Sequence, residues 1–281
     1  KGRQFNCPHC GAPVTVALTT SKSITCGSCN SLIDLSSGVG GELKSAIQDE
    51  PINPLIPLGT VGTLQGTAWQ VVGFQHRMGV APGDDEHFGW SEYLLYNQKK
   101  GFSFLVDSEE GWSLVRPTTG APTMGSSNAR SASYLGSTYQ VKYSYEAETN
   151  YVCGEFYWPV VRGQKTSNKD FANGKKLLSL EQSPTELVWS YGEQISSDAV
   201  AQAFKLRDKK DLFKRDVAPF SAAPSIGIEA EGFGLDAVLE LVVARAQAGQ
   251  GQQGGGSHAD QQRGHAQAFG AEQVRDEAGA E

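Results

Sequence analysis

The chain has 281 residues, of which 39% are hydrophobic and 9% aromatic, and this is enough apolar material for one large or two small globular domains. Its formal net charge of -7 comes from the end of the sequence, because residues 217–281 hold three basic and nine acidic side chains while residues 1–216 are close to neutral. The low pI therefore leaves an anionic partner open for the folded part. A membrane-spanning segment is excluded, since the most apolar late stretch, residues 235–248, is interrupted by three charged residues.

Two CxxC pairs open the sequence, at residues 7–10 and, after fifteen intervening residues, at residues 26–29. Four thiolates at this spacing can occupy the corners of one tetrahedron around a zinc ion. Short β-branched runs lie beside them, so residues 1–37 are predicted to form a zinc ribbon, with Gly11 and Gly27 in its tight turns. The predicted zinc ligands are Cys7, Cys10, Cys26 and Cys29.

Two alternatives to zinc are a pair of oxidised CxxC turns and a redox dithiol. A redox CxxC normally begins a helix inside a βαβ unit, and no helical pattern follows either pair. The fifth cysteine, Cys153, stands alone in a predicted strand, where it is expected to be a small buried apolar residue. This usage favours a metal site in a reducing compartment, and we expect the cytoplasm.

Residues 38–56 are predicted to be a linker with one short helix. Leu43 and Ile47 lie one helical turn apart, and Pro51 and Pro54 end any helix before them.

The middle of the chain reads as two β-meanders, at residues 57–117 and 131–216, separated by a bridge rich in Gly, Ser and Pro. The strands predicted in the first are 59–64, 68–74, 90–96, 101–106 and 112–115. Those predicted in the second are 138–141, 151–161, 176–180 and 186–191. The fold class is therefore predicted to be mainly β: an N-terminal zinc ribbon followed by two antiparallel β-meander units, sandwich or barrel-like, with short helices.

Two of these strands share a pattern, because aligning Glu92 with Glu155 also places Tyr93 over Phe156, which indicates an internal repeat. A carboxylate among aromatic residues can act as an acid or base. The favoured interpretation is structural: each Glu accepts hydrogen bonds from loop amides or meets an Arg. The sequence contains no nucleophile elbow, phosphate-binding Gly loop or HExxH motif, so an enzyme is not favoured.

A helix capped by Ser196 is predicted next, with Val200 and Phe204 on one face. Residues 205–216 carry six basic and three acidic side chains and are expected to be a solvated extension. Residues 217–281 are predicted to be a low-complexity tail with one amphipathic helix at 235–242. Residues 247–256 are almost wholly Gln and Gly, and residues 249–281 are expected to be disordered or to become ordered only through a partner or an unusual setting.

Five short motifs together resemble the bacterial family of unknown function numbered 4178. They are residues 7–14 (CPHCGAPV), 54–59 (PLIPLG), 69–74 (WQVVGF), 92–96 (EYLLY) and 154–158 (GEFYW). The resemblance covers about residues 1–206. This part of the chain is similar to the later part of a longer family member, in agreement with the missing initiator Met. It implies no catalytic residues. It implies a genomic setting, because relatives tend to be encoded beside polyamine-synthase-like, phage-shock-like and small membrane proteins. Some relatives look membrane-anchored near the C-terminus, where this chain has its Gln and Gly-rich tail.

Three functional hypotheses follow. The first is a non-enzymatic protein-interaction and assembly module with structural zinc, in an envelope-stress or polyamine-linked bacterial system, with protein partners and at most indirect membrane association. The second is a polyamine or small-cation site in an acidic aromatic box. Its residues would be Trp90, Glu92, Glu155, Tyr157 and Trp158. The third is nucleic-acid binding through the ribbon, but a net charge of +2 over residues 1–36 is a weak footprint, and no nucleic acid is expected.

Overall fold

The computed structural model describes residues 2–37, 42–45, 48, 51–125, 129–215 and 217–221. The helix predicted at residues 235–242 and the disorder expected from residue 249 lie outside the described residues. One compact unit comprises Lys1–Gly125 and Arg130–Ile226, and the fold described below belongs to it. The second unit, Ser126–Ala129 and Gly227–Glu281, has Ala129 as its one described residue.

The predicted mainly β fold is confirmed, and every pairing between the strands is antiparallel. The N-terminal strands are β1 (Arg3–Asn6), β2 (Pro13–Val16), β3 (Ser23–Thr25), β4 (Leu32–Asp34) and β5 (Glu42–Ser45). The next are β6 (Val61–Leu64), β7 (Thr67–Val80), β8 (His87–Asn97), β9 (Gly101–Ser108), β10 (Gly111–Pro117) and β11 (Thr123–Met124). The last are β12 (Ser131–Tyr134), β13 (Ser137–Phe156), β14 (Lys165–Asn173), β15 (Lys176–Gln182) and β16 (Leu187–Ile195).

Two short helices follow the strands: α1 (Ser197–Ala203) and, after a 3₁₀ turn at Arg207–Lys209, α2 (Lys210–Phe213). In the described part of the chain, no helix has the length and apolar character that crossing a bilayer requires.

Eight strands close into a ring in the order β7, β8, β9, β10, β16, β15, β14, β13 and back to β7. The first predicted meander contributes four of these strands and the second contributes the other four. The two meanders therefore share one closed barrel, in which each of the eight strands has a hydrogen-bonded neighbour on both edges.

Strand β13 joins two strands that the sequence predicted separately. Its residues Gln140–Glu148 pair with β14, and its residues Glu146–Gly154 pair with β7. The run from Lys142 to Asn150 hides this continuity in the sequence, because Tyr143, Tyr145 and Ala147 are its only aromatic or apolar residues among polar and charged ones. Backbone pairing on both edges holds it in the sheet instead.

Strand β14 was missed by the sequence prediction for a related reason. Its polar side chains find partners within the sheet: Asp170 accepts hydrogen bonds from Tyr145 Oη at 2.9 Å and Ser179 Oγ at 2.5 Å, and Asn168 Oδ1 accepts one from Thr166 at 2.7 Å. Burial of such residues is tolerable when each is hydrogen-bonded, so this strand does not need an apolar face of the usual kind.

Two hairpins of the barrel have matching geometry. The turn between β6 and β7 has Gln65 at φ 48° and Gly66 at φ 74°, and the turn between β12 and β13 has Leu135 at φ 49° and Gly136 at φ 74°. Both are two-residue hairpin turns of the kind that requires positive φ at both central positions.

The match between the two halves extends to the turns that follow β8 and β14. Asn97 Nδ2 donates to Ala68 O at 2.8 Å, and Asn173 Nδ2 donates to Thr138 O at 2.9 Å. In this correspondence β13 matches β7 and β14 matches β8. Glu92 on β8 and Glu155 on β13 therefore lie on strands that do not correspond, unlike in the alignment that the sequence suggested.

The prediction of a linker helix around Leu43 is wrong for residues 42–45, because these residues form strand β5. This strand pairs with β4, with Leu43 opposite Ile33. One apolar pair at helical spacing is a weak signal, and the open edge of β4 supplies hydrogen bonds that a short isolated helix lacks. Ile47 lies outside the described residues. The link that follows packs on the barrel, where Ile56 is fully buried and Leu55 N donates to Tyr93 Oη at 3.0 Å.

Helix α1 begins as predicted, because Ser196 Oγ accepts a hydrogen bond from Ala199 N at 3.2 Å. Val200 and Phe204 are buried in the largest hydrophobic cluster, together with residues of β7 to β10. The charged extension after it is not purely solvated. Phe213 of α2 is fully buried, its ring stacks on Trp112 at 5.4 Å, and its carbonyl accepts a hydrogen bond from Trp112 Nε1 at 2.7 Å.

A buried carboxylate adds a pH-dependent term to this packing. Arg215 Nε lies 3.2 Å from Asp107 Oδ1, but desolvation outweighs this ion pair and raises the pKa of Asp107 from 3.8 to about 6. The folded protein therefore holds this proton to a higher pH than the unfolded chain does. The contribution of Asp107 to stability is greatest below pH 4 and falls as the pH rises through about 6.

We expect Asp107→Asn to raise the free energy of unfolding at pH 7 and to change it little at pH 4. The substitution removes a carboxyl group whose burial is unfavourable only when the group is ionised. Urea unfolding at the two pH values measures the difference. Glu109→Gln, at an exposed position of the same hairpin, is the matched control and should have no such pH dependence. An equal effect of Asp107→Asn at both pH values would contradict the prediction.

Candidate metal centre

Four cysteine sulfurs meet between two hairpins of the N-terminal segment. Cys7 and Cys10 lie in the turn between β1 and β2, and Cys26 and Cys29 lie in the turn between β3 and β4. The four Sγ atoms are all within 4.8 Å of one another. The two hairpins belong to different sheets, so the cysteines join segments that no strand pairing connects.

Each turn is folded by its own backbone hydrogen bonds. In the first, Gly11 N donates to Cys7 O at 2.9 Å, and in the second Asn30 N donates to Cys26 O at 2.9 Å. The residue after the second cysteine is left-handed in both, with φ 75° at Gly11 and φ 56° at Asn30. The prediction that Gly27 provides this freedom is therefore wrong, because Asn30 occupies the left-handed position of the second turn.

The distances distinguish a metal site from disulfides. Cys7 Sγ lies 3.8 Å from Cys29 Sγ, and Cys10 Sγ lies 3.7 Å from Cys26 Sγ. A disulfide needs about 2.05 Å between its sulfurs, and all five cysteines of the chain are free thiols. No helix begins at either CxxC pair, which is where a redox dithiol would normally lie. The arrangement can hold a metal ion with four sulfur ligands.

Polar groups surround one side of this cluster. Ser31 Oγ lies 3.2 Å from Cys29 Sγ and 3.0 Å from Nδ1 of His9, which is exposed. The hydrogen bond with Ser31 lowers the pKa of the Cys29 thiol to about 5. This favours the thiolate, which is the form that binds metals.

Glu155 fixes this segment to the barrel. Its Oε1 accepts a hydrogen bond from Ala17 N at 2.7 Å, and its Oε2 accepts from Leu18 N at 3.0 Å and from Ser21 Oγ at 2.7 Å. The carboxylate thus receives three donors from the loop between β2 and β3. Strand β3 also pairs with the end of β13, with Ile24 opposite Glu155.

Further contacts link the second hairpin to the barrel. Gly154 N donates to Thr25 Oγ1 at 2.7 Å. The amide of Gln48, which is buried, donates to Asn30 O at 2.8 Å and to Val152 O at 2.7 Å, and accepts from Val152 N at 2.9 Å. Leu32 completes the junction in a hydrophobic cluster with residues of β8 and β13.

The residues of the predicted cation box have different partners in the structure. Trp90 Nε1 donates to Glu92 at 2.7 Å, so these two are in contact. The rings of Tyr157 and Trp158 pack against each other with their centres 4.8 Å apart. They also pack against the rings of Phe102 and Phe104 on β9. Burial raises the pKa of Tyr157, and the charges of Glu186 and Glu92 raise it further. Glu155 faces the N-terminal loop, as its three hydrogen bonds show.

The sequence did not reveal the partners of Glu92. Arg77 is only 6% exposed and lies between two carboxylates, 3.8 Å from Glu92 and in direct contact with Glu181. Gln75 Nε2 also donates to Glu92 at 2.5 Å. These residues come from three strands, and only the register of the ring brings them together.

The family model of the domain of unknown function DUF4178 matches residues 57–197, half of the chain. The chain belongs to this family. The DUF4178 match begins just before β6 and ends at the start of α1, so it contains all eight strands of the barrel and both matched hairpins. The cysteine cluster precedes the DUF4178 domain in sequence and docks on it through Glu155. No curated protein and no solved structure matches the chain.

We expect Glu155→Gln to loosen the N-terminal segment, because an amide offers one acceptor oxygen and turns its NH₂ group toward donors. The loss is expected to be about 1–3 kcal/mol of unfolding free energy, typical of leaving a buried donor unpaired. Hydrogen exchange of the Ala17 and Leu18 amides should accelerate while the amides of β8 to β10 stay protected.

The matched control is Glu146→Gln, at an exposed position of the same strand, and it should leave these amides unchanged. Unchanged exchange of Ala17 and Leu18 in Glu155→Gln would show that the carboxylate does not hold the segment.

Proposed function

We propose that the four cysteines bind one zinc ion and that residues 1–37 form a zinc ribbon whose metal is structural. The support is geometric: a zinc–sulfur bond of about 2.3 Å implies a tetrahedron with edges of about 3.8 Å. The two measured sulfur pairs are 3.8 Å and 3.7 Å apart. Four thiolates complete the coordination shell, so no position remains for water or substrate.

The need for a metal follows from the small core of the ribbon. Its hydrophobic cluster contains few residues besides the cysteines themselves, chiefly Val14, Val16, Ile24, Ile33 and Leu35. A segment of this size buries too little apolar surface to order two separate hairpins against each other. The binding free energy of the metal would then act as folding free energy.

Metal analysis tests this proposal. The purified protein should contain about one zinc per chain, and Cys26→Ser should lose it together with the protection of the ribbon amides, because three thiolates bind zinc more weakly than four. Cys153→Ser, which changes a cysteine outside the cluster, should keep the metal. Full metal content in Cys26→Ser, or a different metal in the wild type, would refute the assignment.

We also propose that the protein acts as a non-enzymatic interaction and assembly module in the cytoplasm. The observation that supports this is the rigid placement of the ribbon, whose β1–β2 hairpin presents largely exposed residues while the β3–β4 hairpin is held on the barrel. The carboxylates of Glu92 and Glu155 are both engaged in structural hydrogen bonds, which supports their structural interpretation. A reducing compartment agrees with four thiolate ligands. The family resemblance favours an envelope-stress or polyamine-linked setting.

Co-purification from native cells at endogenous levels tests the interaction role. We expect a defined partner to be recovered with the wild type and with Cys153→Ser, and to be reduced at least tenfold with Cys26→Ser, because the zinc would hold the ribbon surface together. Equal recovery with all three chains would exclude the ribbon as the interaction surface. If no stoichiometric partner is recovered, the proposal that the protein is an interaction and assembly module is refuted.

The matched hairpins support one more proposal, that strands β6 to β10 and β12 to β16 are an internal repeat. Equal turn conformations and equal asparagine contacts at corresponding positions are the support. A duplication of this kind would account for a barrel with four strands from each half.

A further inference from the structure

A cavity of about 400 Å³ lies beside the two matched hairpins. Its volume is within the range of small-molecule sites, roughly 300–1,000 Å³. The β6–β7 and β12–β13 hairpins both contribute to its wall, and strands β9, β10, β15 and β16 complete it. It is separate from the cysteine cluster and shares no residue with it.

Corresponding residues of the two halves line this cavity together. Trp69 and Tyr139 occupy the same position in the two hairpins, two residues after Thr67 and Ser137. Lys100 and Lys176 each lie three residues after the asparagine that contacts the matching hairpin. Each half therefore supplies an aromatic side chain and a lysine from corresponding positions to the same space.

The charged groups of the wall are mostly basic. Lys100, Arg116 and Lys176 carry positive charge, and Glu193 is the acidic residue among the lining residues. The Glu193 carboxylate is already hydrogen-bonded to Gln65 Nε2. The guanidinium of Arg116 lies over the Tyr191 ring at 4.9 Å from its centre. This concave surface, with an excess of cations, attracts an anion.

Trp69 is a largely buried part of the cavity wall. It is 7% exposed, and its Nε1 has no hydrogen-bond partner in the described part of the chain. Its Nε1 atom is itself buried, so the ring rather than the indole N–H is the part of Trp69 that meets the cavity.

Leu135 is a second unusual feature at the same place. It lines the cavity, is 73% exposed and has φ 49°, a conformation that is unfavourable for a leucine. The hairpin turn requires this φ, as it does at Gln65 of the matching turn, and it leaves the apolar side chain of Leu135 available to a ligand in the cavity.

We propose that this cavity binds a small organic anion with a flat apolar body. Lys100 and Lys176 would hold the anionic group, because they reach the cavity from opposite halves of the barrel. The rings of Trp69 and Tyr139 would contact the apolar body. This ligand site is independent of the zinc ribbon and of the interaction role proposed above.

Titration of the full chain with 2-naphthoate tests the site, with the ¹H–¹⁵N indole signals of its five tryptophans as the readout. The Trp69 signal is identified by its absence in Trp69→Phe. We expect saturable movement of this signal at submillimolar to millimolar 2-naphthoate. The uncharged analogue 2-naphthamide should bind about tenfold more weakly, since it lacks the charge that the lysines recognise.

Charge-matched variants distinguish the site from general attraction. Lys100→Gln with Lys176→Gln should weaken 2-naphthoate binding at least tenfold. Lys99→Gln with Lys175→Gln changes the adjacent lysines, which do not line the cavity, and should leave the affinity within about twofold. The proposal is overturned if the Trp69 signal does not move at 10 mM 2-naphthoate, if 2-naphthamide binds equally well, or if the control pair loses as much affinity as the cavity pair.

Discussion

The backbone pairing of strand β13 is the interaction on which the rest of the structure depends. Along its twenty residues it bonds to β14 on one edge and to β7 on the other, which closes the barrel, and its last residues bond to β3 of the N-terminal segment. Every buried N–H and C=O of such a strand needs a partner, so its register determines the positions of four neighbours at once, since β12 pairs with its first residues as well.

Two glycines permit the passage of β13 from the barrel to the N-terminal segment. Gly154 has φ 94°, and a Cβ atom there would lie 2.3 Å from Val72 O. Gly73, which is opposite it, would place a Cβ atom 2.6 Å from Glu155 O. The two backbones approach too closely for any other residue, and this approach directs the Glu155 carboxylate to the loop amides that it holds.

In the N-terminal segment, the contacts between the two hairpins and the contacts with the barrel are made by different side chains. The thiols join two hairpins from different sheets, whereas the carboxylate of Glu155 and the amide of Gln48 join those hairpins to the barrel. Neither set replaces the other: without the thiols the β1–β2 hairpin has only a few contacts to its neighbour, and without Glu155 the loop that connects them has three unpaired donors. The position of the cysteine cluster relative to the DUF4178 domain depends on both.

Local patterns determined several features of this protein from the sequence alone: the mainly β class, the strands with clear apolar alternation, the Ser196 helix start and the four clustered cysteines. These depend on contacts between residues close in the chain or on a spacing specific enough to stand alone. The single strand β13, the polar strand β14, strand β5, the buried Phe213 and the pairing of Arg77 with Glu92 and Glu181 were decided by tertiary structure. Their residues are polar, charged or isolated in the sequence. They are stabilised by hydrogen bonds and packing partners that lie up to 138 positions away, which no local pattern contains.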